Sequence, residues 1–382
     1  MTIYLDNSAT SFPKPEPVCD AVDHTMRRLT ANPGRGGHQL ALAAARLVLE
    51  TREAVAAFVG AADSSHIVFT ASATEAINLG LFGILRSGDR VVTTSMEHNA
   101  VVRPLRALQD NGVTVTRVRA DRTGFVAPDE LFAACRPRPR MVVMTHCSNV
   151  TGTLQAIEEI GPWCRDNGIL FLVDAAQSAG LFPLHVEEMC IDLLAASGHK
   201  SLLGPPGTGF LYVRKGLDMR PLIYGGTGTL SDSELQPEEL PERLESGTLN
   251  TIGLAGLRAG LAFIEKEGFD RVQSHEQLLL QQLLKGLAAL PGVVLHGGGA
   301  AGGRQGSAVS FTVDGIDPAA LGFRLDREHG ICCRVGLHCA PEAHRTIGTY
   351  PEGTVRVSPG YFNTSQDIEH FLSALRELIT AG

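Results

Sequence analysis

From residue 66 onward, short runs of apolar and β-branched residues alternate with longer stretches whose apolar positions recur every three or four residues. "HIVFT" (66–70), "DRVVTT" (89–94), "VTVTRV" (113–118), "RMVVMTH" (140–146) and "ILFLVDAA" (169–176) read as strands. Between them, "TEAINLGLFGILRSG", "AVVRPLRALQDNG", "PDELFAACR" and "IEEIGPWCRDNG" read as helices. Runs such as "MVVM" and "LFLV" lack polar alternation, which suits strands covered on both faces. The expected fold is α/β: a mostly parallel sheet flanked by helices. Ligands of such sheets sit at the carboxyl ends of the strands, so the polar residues after each run become candidates.

The pattern loosens over 225–251, a polar stretch rich in proline and glycine. It reads as the junction between a large α/β unit (14–250) and a smaller α+β unit (1–13 plus 251–382). In the second, helical segments precede "GSAVSFTV", "GICCRV" and "TVRVSPG", which read as short strands. The patch "HGGGAAGGRQG" (296–306) reads as a surface loop rather than a dinucleotide fingerprint, because no helical pattern follows it.

Composition narrows the classes. The 382 residues are 44% hydrophobic, enough for a sizeable core. A net charge of -8 without a basic block argues against nucleic acid as a partner. The start "MTIYLDNSAT" has no secretory pattern and no run of about eighteen apolar residues occurs, so a cytoplasmic protein without a membrane span is expected. Eight irregularly spaced cysteines with no C-x-x-C argue against a disulfide framework or a metal ribbon.

Chemistry concentrates in "SGHKSLLGPPGTG" (197–209). A phosphate-binding P-loop places its lysine after the glycines at a helix start, whereas Lys200 precedes them and "GFLYV" follows as a strand. A lysine in a constrained, partly buried loop can instead lose its proton and form a Schiff base; the plain alternative is a solvated surface charge. Asp174 ends an apolar strand, where a carboxylate calls for a cation such as a pyridinium N–H. Gln177 in "DAAQ" can reach a phenolate oxygen from the same side, or the pair can be a helix cap with a solvated glutamine. In "FTASATEAIN" (69–78), Thr74 and its neighbours offer an anion site at a helix start, or a capping box. Ser197 and His199 add donors, and His98 in "MEHNA" can lie flat on an aromatic ring or serve structure alone.

A lysine for an aldehyde, an acid for a ring nitrogen, a flat partner and a helix start for a phosphate together match pyridoxal 5'-phosphate. With the landmarks "YLDNSAT", "NPGRGGH", "SATEAIN", "MEHN", "SNVTG", "VDAAQS", "SGHK", "GTLNT", "RVGLHCA" and "VRVSPGYFNT" in order, the sequence resembles the class V, fold-type I pyridoxal-phosphate enzymes. Within them it resembles the cysteine desulfurases and the similar selenocysteine lyases.

The resemblance implies that Lys200 bonds the cofactor aldehyde and later carries a proton. It implies that Asp174 protonates the ring nitrogen, Gln177 contacts the ring oxygen and His98 stacks on the ring and assists proton movement. Ala73, Thr74, Ser197 and His199 would hold the phosphate, with Thr251 reaching across from the second subunit of a homodimer. Asn149 would serve both cofactor and substrate, and Asn7, Arg35 and Arg356 would join it in binding the substrate, with Asn149 and Arg356 on its carboxylate. Asn32 and His38 of "NPGRGGH" would lie near the entrance. Cys339, in the R-x-G-x-H-C-A pattern formed by Arg334, Gly336, His338 and Cys339, would take sulfur from L-cysteine as a persulfide, release L-alanine and pass the sulfur to an acceptor protein. The implied alternatives are a selenocysteine lyase acting on L-selenocysteine, a C–S β-lyase and a class V aminotransferase. Leu337 replaces a histidine common in this branch, and Pro341 and Glu342 make the continuation rigid and acidic, an acidity expected to oppose thiolate formation. Cys332 and Cys333 alternate along a strand and read as one buried and one half-exposed structural thiol.

Overall fold

The computed structural model describes residues 2–34, 36–297 and 305–381. Arg35 and most of the glycine-rich patch lie outside the described residues. Seven strands form one sheet in the spatial order Ile67–Thr70, Gly209–Val213, Leu193–Ser197, Leu170–Asp174, Met141–Thr145, Arg90–Thr94 and Thr114–Val118. All neighbours run parallel except at Gly209–Val213, which is antiparallel to both of its partners. Helices Ala73–Ile84, Asn99–Asp110, Pro128–Ala134 and Ile157–Asp166 fall where the sequence periodicity places them.

The continuous apolar runs are explained by burial on two sides. Val142, Met144, Phe171 and Val173 belong to one core, while Met141, Val143, Leu170 and Leu172 belong to another. Successive residues of a strand point to opposite faces, so each run feeds both layers in turn. Each such side chain contributes roughly 1.5–3 kcal/mol on full burial, which holds the strand ends in fixed register.

A second sheet is antiparallel, ordered Arg334–Gly336, Thr354–Val357, Val309–Val313 and Val293–His296. Its core, with Leu283, Phe311, Val355 and Phe371, also takes in Ile3 and Leu5 from the start of the chain. "GICCRV" is not one strand. Ile331–Cys332 pairs in parallel with Ile3–Tyr4, and the chain changes partners at Cys333 so that Arg334–Gly336 pairs with Thr354–Val357. Residues 225–250 carry no helix or strand. Helix Thr251–Glu267 then packs on Glu16–Arg28 and Gln39–Phe58, sending Leu254, Leu257 and Leu261 into the core of the large sheet. The eight cysteines are free thiols. Among the described residues, no helix is long and apolar enough to cross a membrane.

Candidate active site

Five strands of the large sheet end on the same side, and the residues after them carry the polar chemistry. Ala73 and Thr74 follow Ile67–Thr70, His98 follows Arg90–Thr94, Asn149 follows Met141–Thr145, Gln177 follows Leu170–Asp174, and His199 and Lys200 follow Leu193–Ser197. Strand direction alone therefore gathers residues that lie as much as 127 positions apart in sequence (Ala73 to Lys200).

Asp174 is 4% exposed and accepts a hydrogen bond from Ala176 N at 2.9 Å, but it forms no ion pair at salt-bridge distance among the described residues. Burial raises its pKa, while the Ala176 bond and the charge of Lys200 oppose the rise. Lys200 is half-buried, and burial pushes its amine down to about 8 against the pull of Asp174. An amine so tuned loses its proton near neutrality, which a Schiff-base lysine needs.

The helix start beside them is capped and faces the lysine loop. Ser72 caps helix Ala73–Ile84 by accepting from Glu75 N at 3.2 Å, and Glu75 Oε2 accepts from Ala71 N at 2.6 Å. The pair resembles the expected capping box, except that Glu75 reaches Ala71 N, one residue before the cap, and it leaves Thr74 exposed. Ala73 N donates to Ser197 Oγ at 3.2 Å, joining this helix start to the lysine loop. Gly209 permits that approach, because a Cβ there would sit 2.7 Å from Ser72 C. His199 Nδ1 is buried without a partner, and its ring pKa is lowered to about 4 by burial, then by Lys200 and Lys14.

His98 is the N-cap of helix Asn99–Asp110, accepting from Ala100 N at 3.0 Å through Nδ1. Burial, reinforced by the Lys200 charge, lowers its pKa to about 4. Neutral His98 therefore carries its proton on Nε2. Gln177 Nε2 donates to Ser8 O at 2.9 Å, leaving its Oε1 and second N–H for another partner. Thr251 differs from expectation. It is 8% exposed at the first turn of its helix and has little surface to offer a second subunit, whereas Thr248 in the same segment is exposed.

Arg356, 1% exposed, donates from Nη1 to Asn149 O at 3.0 Å and from Nη2 to Asp6 Oδ1 at 2.6 Å, while its Nε has no partner. Asn7 Nδ2 donates to Ser358 O at 3.0 Å. Asn149 Nδ2 donates to His338 O at 2.7 Å, so that amide fastens the cysteine turn to the sheet.

The turn itself is strained. His338 and Cys339 both adopt left-handed backbone conformations, with φ of 47° and 59°, which cost non-glycine residues about 1–3 kcal/mol each. Three bonds hold it: Asn149 to His338 O, Asn99 N to Cys339 O at 2.8 Å, and the His338 ring to Thr354 Oγ1 at 2.9 Å. The result is an exposed thiol at a fixed place. Arg334 Nη2 donates to Cys339 Sγ at 3.5 Å, while Glu342 pairs with Arg345 at 2.7 Å. The acidity expected after "HCA" is thus neutralised locally, and the charge beside the thiol is positive. Cys332 and Cys333 are both half-buried, rather than one buried and one half-exposed; Cys333, where the chain changes partners, packs against the second core, and burial raises it to about 12.

Sequence reasoning missed Asp6, Glu97 and Asn99. Each lies in or beside a landmark, but its partner is distant in sequence. A buried carboxylate with no cation at salt-bridge distance, an orphaned imidazole nitrogen beside a helix start, and a buried guanidinium with a free Nε together fit pyridoxal phosphate carrying an amino acid.

A family model described as Aminotransferase class-V matches residues 3–371. The chain belongs to that family. Its relatives within it include a probable cysteine desulfurase of Methanothermobacter thermautotrophicus, 38% identical over all of this chain and 95% of its own length. One from Pyrococcus abyssi is 36% identical over 99% of this chain and 94% of its own. Among solved structures, the apo cysteine desulfurase of Thermococcus onnurineus superposes with a TM-score of 0.94 at 35% identity, covering all of this chain and 95% of that one. A cysteine desulfurase of Escherichia coli gives 0.88 at 29%, over 100% and 95%.

Proposed function

We propose that this chain is a pyridoxal 5'-phosphate-dependent cysteine desulfurase that converts L-cysteine to L-alanine and leaves the sulfur on Cys339. The observation that carries this reading is Cys339 itself: an exposed thiol on a strained, triply fastened turn, facing Arg334. Lys200 would bond the cofactor aldehyde, Asp174 its ring nitrogen, and His98 its face. Ala73, Thr74, Ser197 and His199 would hold its phosphate, and Gln177 its ring oxygen. Bound there, the cofactor supplies an electron sink for the amino acid's α-carbon.

The chain's own residues do the rest. Arg356 Nε, with Asn149, would take the substrate carboxylate, and Asn7 would join them in binding the substrate. Lys200, with its amine near 8, accepts and returns the α-proton. The Cys339 thiolate attacks the substrate sulfur: the carbon–sulfur bond breaks, a sulfur–sulfur bond forms, and protons complete alanine and the persulfide. Arg334 stabilises the negative charge on sulfur during attack.

The reading includes a homodimer in the cytosol. The support for the homodimer is the run of exposed Leu222, Ile223 and Tyr224 beside a cavity of about 210 Å3 whose lining includes Thr248. We assign the hydroxyl offered to a partner to Thr248 rather than to Thr251. A sulfur acceptor would then meet Cys339 at the surface.

The test incubates purified protein with L-cysteine, L-selenocysteine and cysteine conjugates and measures alanine, pyruvate and sulfide, with Cys339→Ala in parallel. Alanine from cysteine that depends on Cys339 supports the reading. Pyruvate as the main product means a β-lyase, and cysteine-derived alanine that survives the substitution rejects the persulfide.

A further inference from the structure

Glu97, in the residue before His98, has no part in the chemistry above, yet it is 0% exposed. Two other buried acids meet an arginine, Glu245 with Arg52 and Asp192 with Arg214, whereas Glu276 accepts from the Ser307 hydroxyl at 2.9 Å and, like Asp174, has no arginine at salt-bridge distance among the described residues. Glu97 meets none at salt-bridge distance among the described residues. Its Oε1 shares a hydrogen bond with the Thr94 hydroxyl, and its Oε2 accepts from Thr145 N at 2.9 Å. Thr145 lies directly opposite Asp174 in the parallel ladder, so the Glu97 carboxyl sits beside the Asp174 strand end.

Two buried carboxylates related through one residue, here Thr145, do not readily both ionise without a compensating charge. The charged and titratable groups around the pair are Lys200, near Asp174, together with His98, His146 and Cys147. His98 and His146 are held neutral with pKa values near 4 and 3, and the Cys147 thiol is raised to about 12, so among the described residues Lys200 is the cation that acts on Asp174, while Arg334 and Arg356 act in turn on Lys200. One cation matches one carboxylate. Thr94 Oγ1 accepts from Met96 N at 3.1 Å and keeps one lone pair, so it can accept a hydrogen bond from a protonated Oε1 while Oε2 keeps its bond to Thr145 N.

We propose that Glu97 is a positioning residue that keeps its proton at neutral pH, so that the Glu97–Asp174 pair carries one negative charge and Asp174 holds it. The neutral carboxyl ties the turn bearing His98 to the neighbouring strand end without adding a second charge beneath the site. Burial above all, opposed by the Thr94 and Thr145 bonds and helped by Asp174, raises Glu97 to about 8, in keeping with this geometry. The claim concerns the chain's own carboxyls and stands apart from which amino acid is turned over.

The test is infrared spectroscopy of the full chain, with and without pyridoxal phosphate, on wild type and Glu97→Gln. A protonated-carboxyl band present in wild type at pH 7 and missing from the variant is expected; loss of an ionised-carboxylate band instead overturns the proposal. If that variant does not fold, Glu276→Gln removes the other carboxyl raised towards neutrality, to about 7, and a protonated band must remain at pH 7 and fade as pH rises through about 8; its absence from the Glu276→Gln chain overturns the proposal. Melting adds a second readout. The folded pKa lies above the unfolded value of 4.5, so Glu97 costs wild type stability as pH rises between those values. The amide variant should therefore gain in melting temperature relative to wild type from pH 5 to pH 9, and an offset that stays constant contradicts the proposal.

Discussion

Arg356 Nη2 lies 2.6 Å from Asp6 Oδ1, a contact that closes the start of the chain onto the second sheet across 350 residues. The guanidinium is 1% exposed and the carboxylate 20%, so the pair is almost wholly desolvated on one side. Asp6 balances a charge that burial alone disfavours.

Asp6→Asn should therefore cost about 3 kcal/mol, because it strands a buried cation rather than deleting a surface pair. Urea unfolding measures this. A loss below about 1 kcal/mol would mean that Asn149 O and solvent satisfy Arg356 without Asp6.

His98 couples a cap to a proton. His98→Gln should lose roughly 1 kcal/mol at pH 7 through the missing bond to Ala100 N. The folded pKa is about 4 against 6.5 for the free side chain, so wild type loses stability as pH falls through this range, and the variant does not. The deficit should shrink from pH 7 to pH 5. A deficit independent of pH would show that His98 titrates alike in both states.

Arg334 touches the Cys339 sulfur at 3.5 Å from a half-exposed position. Arg334→Gln should slow iodoacetamide alkylation of Cys339 about fivefold at low salt, and the difference should narrow as salt screens the charge. Equal rates for both proteins would remove the guanidinium from the account.

What the sequence disclosed follows from distance. The strands around Val142 and Phe171 and the helix opened by Ser72 rest on patterns a few residues long, so periodicity and capping residues expose them. Lys200 and Asp174 were legible for the same reason, since each sits at the end of a readable strand. The Asp6–Arg356 pair, the Asn149 bond to His338 O and the Glu97 bond to Thr145 N join residues 48 to 350 positions apart, and no local pattern marks them. The burial of Thr251 was not legible, because a hydroxyl in a polar stretch looks exposed until the helix that buries it is in place. "ICCRV" hid a change of strand partner, since alternation alone does not reveal which neighbour each residue meets.

The most direct measurement reduces the protein with borohydride after pyridoxal phosphate is added, digests it and maps the modified peptide by mass spectrometry. The account predicts a single pyridoxyl adduct on Lys200. An adduct on another lysine such as Lys14, or none at all, contradicts it.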